Sequence, residues 1–90
     1  LLDGHLHVTD LQQRFQKLAS TANGRELIKT LGMFVRLNTN VLQTAAALHI
    51  HRNTLSYRLD RLQQIFQLDP HQTLDLFTLY VGYLYFKADK

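Results

Sequence analysis

Arg52 and Asn53 stand side by side in the run His51-Arg52-Asn53-Thr54, and Tyr57, Arg58 and Arg61 follow at helical spacing. These side-chain types can read nucleic acid. A guanidinium can grip guanine O6 and N7 with two hydrogen bonds, and a carboxamide can do the same for adenine N6 and N7. On a helix opening near His51, the first turn presents His51, Arg52 and Asn53, with Tyr57 further along the same side. These four are the candidates for contacts to base edges. Thr44, Thr54, Arg58 and Arg61 are the candidates for phosphate, which positions a protein on the duplex without specifying sequence. The free N–H groups and the dipole at the helix start add to the attraction for phosphate. Catalysis has no comparable constellation. Asp60, Asp69 and Asp75 are scattered, no nucleophile stands with an oriented base, and no glycine-rich phosphate loop is present. The chain is therefore read as a non-enzyme with no cofactor.

Such a helix must be held rigidly. Its inner stripe is Leu55, Leu59, Leu62 and Phe66, so the spacing predicts a helix over about 51–66. A short alanine-rich helix over 41–48 precedes it, capped by Asn40. Only Leu48-His49-Ile50-His51 separates the two, and a turn this short marks a helix-turn-helix over about 40–66. Its requirements can be checked one by one. Ala45 is small where the helices touch, Ile50 plugs the turn, and Leu55 reaches the core one turn into the second helix. His49 sits where the backbone turns, and His is among the residues that tolerate positive φ.

The flanking segments, about 9–37 and 71–88, are support. Thr9 and Gln12 suggest a capping box opening a helix that buries Leu11, Phe15 and Leu18, with Asn23-Gly24 as its break. A second helix, about 25–37, carries the stripe Leu27, Ile28, Leu31, Phe34 and Val35, and Asn38-Thr39-Asn40 ends it because Asn tolerates the left-handed conformation. Asp69-Pro70 makes a turn before a last helix over about 72–88. With no sustained alternation of apolar and polar residues, the whole reads as one all-α, five-helix domain spanning 1–90.

The last helix has almost no polar face. A stripe of Leu74, Phe77, Val81 and Leu84 can complete the core. Leu76, Tyr80 and Tyr83, with Tyr85 beside them, would then be exposed and form an interface. A homodimer would suit a DNA reader, since paired helices read half-sites about one helical turn apart; contact with an upstream sensory part is the other expectation.

Composition excludes more than it assigns. The chain has no cysteine, which removes disulfides, thiol chemistry and Cys-type zinc sites. The pairs His5-x-His7 and His49-x-His51 lack the further ligands that zinc needs, so no metal is expected. The net charge of +3 points only weakly to a polyanion. No apolar run approaches the roughly 20 residues that span a bilayer and no signal peptide is visible, so the expected location is the cytoplasm. The chain begins at Leu1 rather than Met, which reads as the C-terminal piece of a longer protein.

The run T-A-A-A-L-H-I-H-R-N-T-L-S-Y-R-L-D-R-L, residues 44–62, strongly resembles the C-terminal helix-turn-helix of the PucR-like and sugar-diacid-regulator (CdaR-like) transcription factors. The family pattern is similar to N-V-x-x-T-A-x-x-L-x-[IV]-H-R-N-T-[LV]-x-Y-R-[LI]-x-R-[IL], which starts here at Asn40. Its core, H-R-N-T-L-x-Y-R, is specific. A looser likeness runs from about Leu27 to Leu84, and the motif also resembles the Fis-type DNA-binding unit. The resemblance implies a bacterial transcriptional regulator that binds double-stranded DNA, with a variable sensory part ahead of this domain. Two departures stand out. Asn38, Thr39 and Asn40 occupy a loop that often carries glycine in the family, and the first twenty residues match little of it. Two rival readings remain: an interaction or dimerisation module acting through helix 72–88, and a general nucleoid-type binder without base readout.

Overall fold

The computed structural model describes residues 8–89, so the His5-x-His7 pair lies outside the described residues. Five α-helices follow one another: α1 Val8–Leu18, α2 Ala22–Arg36, α3 Val41–Leu48, α4 Arg52–Phe66 and α5 Thr73–Ala88. Each has an apolar face that reaches a shared core of Leu11, Phe15, Leu31, Phe34, Leu55, Leu59, Leu62, Phe66 and Leu79, all essentially inaccessible. Phe15 is the hinge pin of that core. Its ring lies 4.6 Å from Phe66, 5.9 Å from Phe86 and 6.4 Å from Tyr83 (centroid to centroid), tying α1 to α4 and α5.

Two boundaries near the amino end differ from the sequence expectation. Thr9 is the second residue of α1, not its cap. The break after α1 falls at residues 19–21, and Asn23-Gly24 lies inside the first turn of α2, whose cap is Thr21. Thr21 Oγ1 accepts a hydrogen bond from the Gly24 N–H at 3.0 Å. Gly24 is needed for a reason other than turning. A Cβ on it would come 1.7 Å from the Leu18 carbonyl oxygen, a backbone atom with no freedom to retreat. We expect Gly24→Ala to cost about 1–3 kcal/mol or more through forced backbone separation; urea unfolding reads this directly.

The α2–α3 connection is built from left-handed residues. Asn38 and Thr39 have φ of 58° and 61°. The Asn38 N–H donates to the Val35 carbonyl at 3.0 Å and the Thr39 N–H to the Phe34 carbonyl at 2.8 Å, the paired bonds of a Schellman ending. Asn40, by contrast, is extended and serves the next helix: its Oδ1 accepts from the Gln43 N–H at 2.8 Å. Asn at 38 suits this geometry. Thr39, branched at Cβ, holds the same conformation at a cost.

The largest difference concerns α5. The face expected to be open is the buried one. Tyr83 is 5% exposed, while Leu76 and Tyr80 pack against the core. Leu74, Phe77 and Leu84, expected inside, are exposed. Helix α1 decides this by packing along α5. Gly82 opens the slot: a Cβ there would meet Leu11 Cβ at 2.9 Å and Phe15 Cε2 at 3.1 Å. The face containing Leu79, Gly82, Tyr83 and Phe86 therefore takes α1, and the Tyr83 hydroxyl accepts from Arg36 Nη2 at 3.3 Å on α2.

Candidate nucleic-acid interface

The turn between α3 and α4 begins where His49 takes φ 58° and ψ 42°. Its N–H donates to the Ala46 carbonyl at 3.1 Å, and the Ile50 N–H donates to the Ala45 carbonyl at 3.0 Å. This is again the Schellman arrangement, with His in the left-handed place that glycine usually takes. Ile50 packs against the core and Ala45 is buried beneath it. The next residue, His51, is extended and caps α4: its Nδ1 accepts from the Asn53 N–H at 2.9 Å. With Nδ1 occupied as an acceptor, the neutral imidazole carries its proton on Nε2. A hydrogen-bond donor is thereby set at the head of α4.

Four core residues fix α4 from within. Leu55, Leu59, Leu62 and Phe66 are at most 1% exposed. The opposite side carries His51, Arg52, Asn53, Thr54, Ser56 and Tyr57, all exposed. Tyr57 is 64% exposed, a large ring standing in solvent. Of the arginines on α4, Arg52 differs from the others. Arg58 and Arg61 each donate a hydrogen bond within the chain, and among the described residues no such bond holds Arg52.

Two of the eight expected contact residues sit differently. Thr44 is fully buried, and its hydroxyl donates to the Asn40 carbonyl at 2.7 Å. It lies on the core side of α3 beside Ala45, so it cannot reach a phosphate. Arg58 is turned toward α2. Its side chain is 19% exposed, with Nη1 at 3.5 Å from Glu26 Oε1 and donating to Thr30 Oγ1 at 3.1 Å. Thr30 is itself fully buried and donates to the Glu26 carbonyl. Arg58 thus braces α4 against α2. Arg58→Ala should lower stability by about 1–2 kcal/mol, since a charge-assisted bond to a buried hydroxyl is lost beside a half-exposed ion pair. Chemical denaturation checks the size. A reduced salt slope of DNA binding with unchanged stability would instead return Arg58 to the phosphate contacts.

The structure adds residues that sequence reading missed. A shallow groove beside α4 is lined by Thr54, Tyr57, Arg58 and Arg61 from α4 and by Asn23, Glu26 and Leu27 from α2. The amino end of α2 has no acidic residue in its first turn. The N–H groups of this turn that Thr21 does not cap can attract anions beside the outer edge of α4, with the Glu26 carboxylate at the same groove opposing them. Nothing in the spacing of Asn23 relative to Arg52 announces this, because only the fold brings the start of α2 to α4. Among the described residues no three His, Asp or Glu side chains gather into a metal-binding group.

A family comparison fits this geometry. Residues 27–84, well over half of the chain, match the model of the PucR C-terminal helix-turn-helix domain. The chain belongs to this family. It is a helix-turn-helix DNA-binding domain of the kind that transcriptional regulators carry. The carbohydrate diacid regulator of Escherichia coli is 38% identical over 81 residues, covering 90% of this chain and 21% of that protein. The transcriptional activator PmfR of Paenarthrobacter nicotinovorans is 36% identical over 74 residues, covering 81% of this chain and 16% of its own length. The DNA-binding transcriptional activator AdeR of Bacillus subtilis is 38% identical over 55 residues, covering 61% of this chain and 13% of that protein. The chain thus spans about a fifth or less of these relatives' length. No solved structure matches it.

Proposed function

We propose that this PucR-type domain is the sequence-reading part of a bacterial transcriptional regulator, with α4 in the DNA major groove. One observation carries the reading: Arg52, Asn53 and Tyr57 stand exposed on the opening turns of a helix whose other side is locked into the core. Exposed donors on a rigid rod are what base-edge readout requires. His51 through Nε2, Arg52, Asn53 and Tyr57 face the bases. Thr54 and Arg61 at the groove edge, with the amino end of α2, face phosphates. The names of the relatives, two of them activators and one a regulator, support a role in transcription.

The proposal carries three corollaries. A reader of bacterial DNA works in the cytoplasm, and no helix among the described residues is long and apolar enough to cross a membrane. The domain acts without catalysis of its own, and it pairs either with a second copy or with a sensory part of a longer chain.

Duplex binding measured by fluorescence anisotropy across a salt series tests the proposal against the interaction-module reading. Counterion release gives a log–log slope of about −0.9 for each phosphate neutralised. A domain contacting several phosphates per copy should show a slope of about −3 or steeper. A flat response would remove DNA as the partner and leave α5 as the working surface.

A further inference from the structure

The outer side of α5 is apolar along its length, and among the described residues no other helix covers it. Leu74, Phe77 and Leu84 are 61%, 56% and 48% exposed; Val81 is half-buried and Ala88 exposed. Residues 74, 77, 81, 84 and 88 are separated by three, four, three and four positions. That is the a/d seam by which one helix meets another along its length. Tyr85 adjoins it, 53% exposed, and α5 already has a core-facing stripe on its other side in Leu79, Gly82, Tyr83 and Phe86. The helix is apolar twice over, once for its own core and once for something else.

We propose that this seam pairs with the same seam of a second copy, α5 running antiparallel to α5. A two-fold interface uses one patch twice, so the patch must complement itself. Aligned antiparallel about residue 79, midway between its two outer leucines, the seam sets Leu74 against Leu84 of the second copy and Phe77 against Val81 of the second copy. The bulkiest residue thus meets the smaller branched one at the two central positions. The exposed parts of Leu74, Phe77, Leu84 and Tyr85 amount to on the order of 400–500 Å² per copy, or roughly 800–1,000 Å² for the pair. This is below the roughly 1,200–2,000 Å² of stable specific interfaces and suits only a weak, reversible dimer. Two half-sites on one duplex would supply the effective concentration that such a dimer lacks in solution. A second copy supplies the seam's complement from the patch itself. Pairing here leaves the reading helix free, because α5 packs chiefly on α1 and α2 while α4 packs on α2 and α3. The proposal rests on DNA reading only for the dimer's purpose, so its test contains no DNA.

Sedimentation equilibrium of the 90-residue chain, from micromolar to millimolar concentration, is the test. The average mass should rise from one chain toward two. Phe77→Glu should hold it at one chain, with the thermal unfolding curve unchanged. Leu42→Glu, at an equally open apolar site on α3 (65% exposed), should leave self-association intact. Because the chain has no cysteine, the register can be read as well. Leu74→Cys and Leu84→Cys variants mixed and oxidised should give the 74–84 disulfide in preference to either symmetric product. A single-chain mass at every concentration overturns the proposal and leaves the seam for another part of a longer protein. Self-association that survives Phe77→Glu overturns it too, and a preferred 74–74 product overturns the antiparallel register.

Discussion

Arg52→Ala should abolish discrimination at one base pair while leaving binding to all other positions nearly intact. The expected loss on the preferred duplex is about 1–3 kcal/mol, the worth of one bidentate base contact. The loss on duplexes already substituted at that pair should be close to zero. The physical basis is that Arg52 is exposed on the first turn of α4 with no internal bond among the described residues, unlike Arg58 and Arg61. Its guanidinium is therefore free to meet a base without first breaking an interaction. Titrating the preferred duplex and its three single-pair variants with both proteins gives the answer. A uniform drop on all four would make Arg52 a phosphate contact and shift the base readout to Asn53 and Tyr57.

Phe15→Ala should be the most destabilising single change in the core, at about 3–5 kcal/mol. Phe15 is fully buried and its ring touches partners on both α4 and α5. Removing it leaves a void between helices that are already close, since a Cβ on Gly82 would meet Leu11 Cβ at 2.9 Å and Phe15 Cε2 at 3.1 Å. A domain of this size is stable by only about 5–13 kcal/mol, so the change removes from about a quarter to all of its stability. Urea denaturation should show a lower midpoint with an unchanged slope. A loss below about 1 kcal/mol, the range of a volume-conserving swap, would mean that α1 contributes little to the core.

The helix-turn-helix was legible because each of its parts has a strict local signature. Asn40 caps as expected, His49 takes the left-handed turn, and Leu55, Leu59, Leu62 and Phe66 are all inside. Such features depend on residues within one or two turns of each other. The α5 assignment failed because a helix apolar on every side contains no local sign of which face turns inward. The informative residue was Gly82: a glycine in mid-helix marks a close approach, and the face it lies on is the buried one. Thr44 and Arg58 sit away from the expected face for a related reason. Both types suit phosphate, but Thr44 has its acceptor four residues earlier, and Arg58 meets Thr30 and Glu26, which stand 28 and 32 positions away in sequence. Tertiary partners of that kind are invisible to spacing. The groove between Asn23 and α4 belongs to the same class.

The most direct test of the central claim is selection of random duplex DNA on this domain, with sequencing of the retained pool. A helix that reads bases through Arg52, Asn53 and Tyr57 predicts an enriched motif, and an enriched motif that changes when Arg52 is replaced. If the domain also pairs through α5, two copies of that motif should appear at a fixed separation. A retained pool with the composition of the starting library, recovered by salt-sensitive binding, would contradict base readout and leave a general nucleoid-type binder.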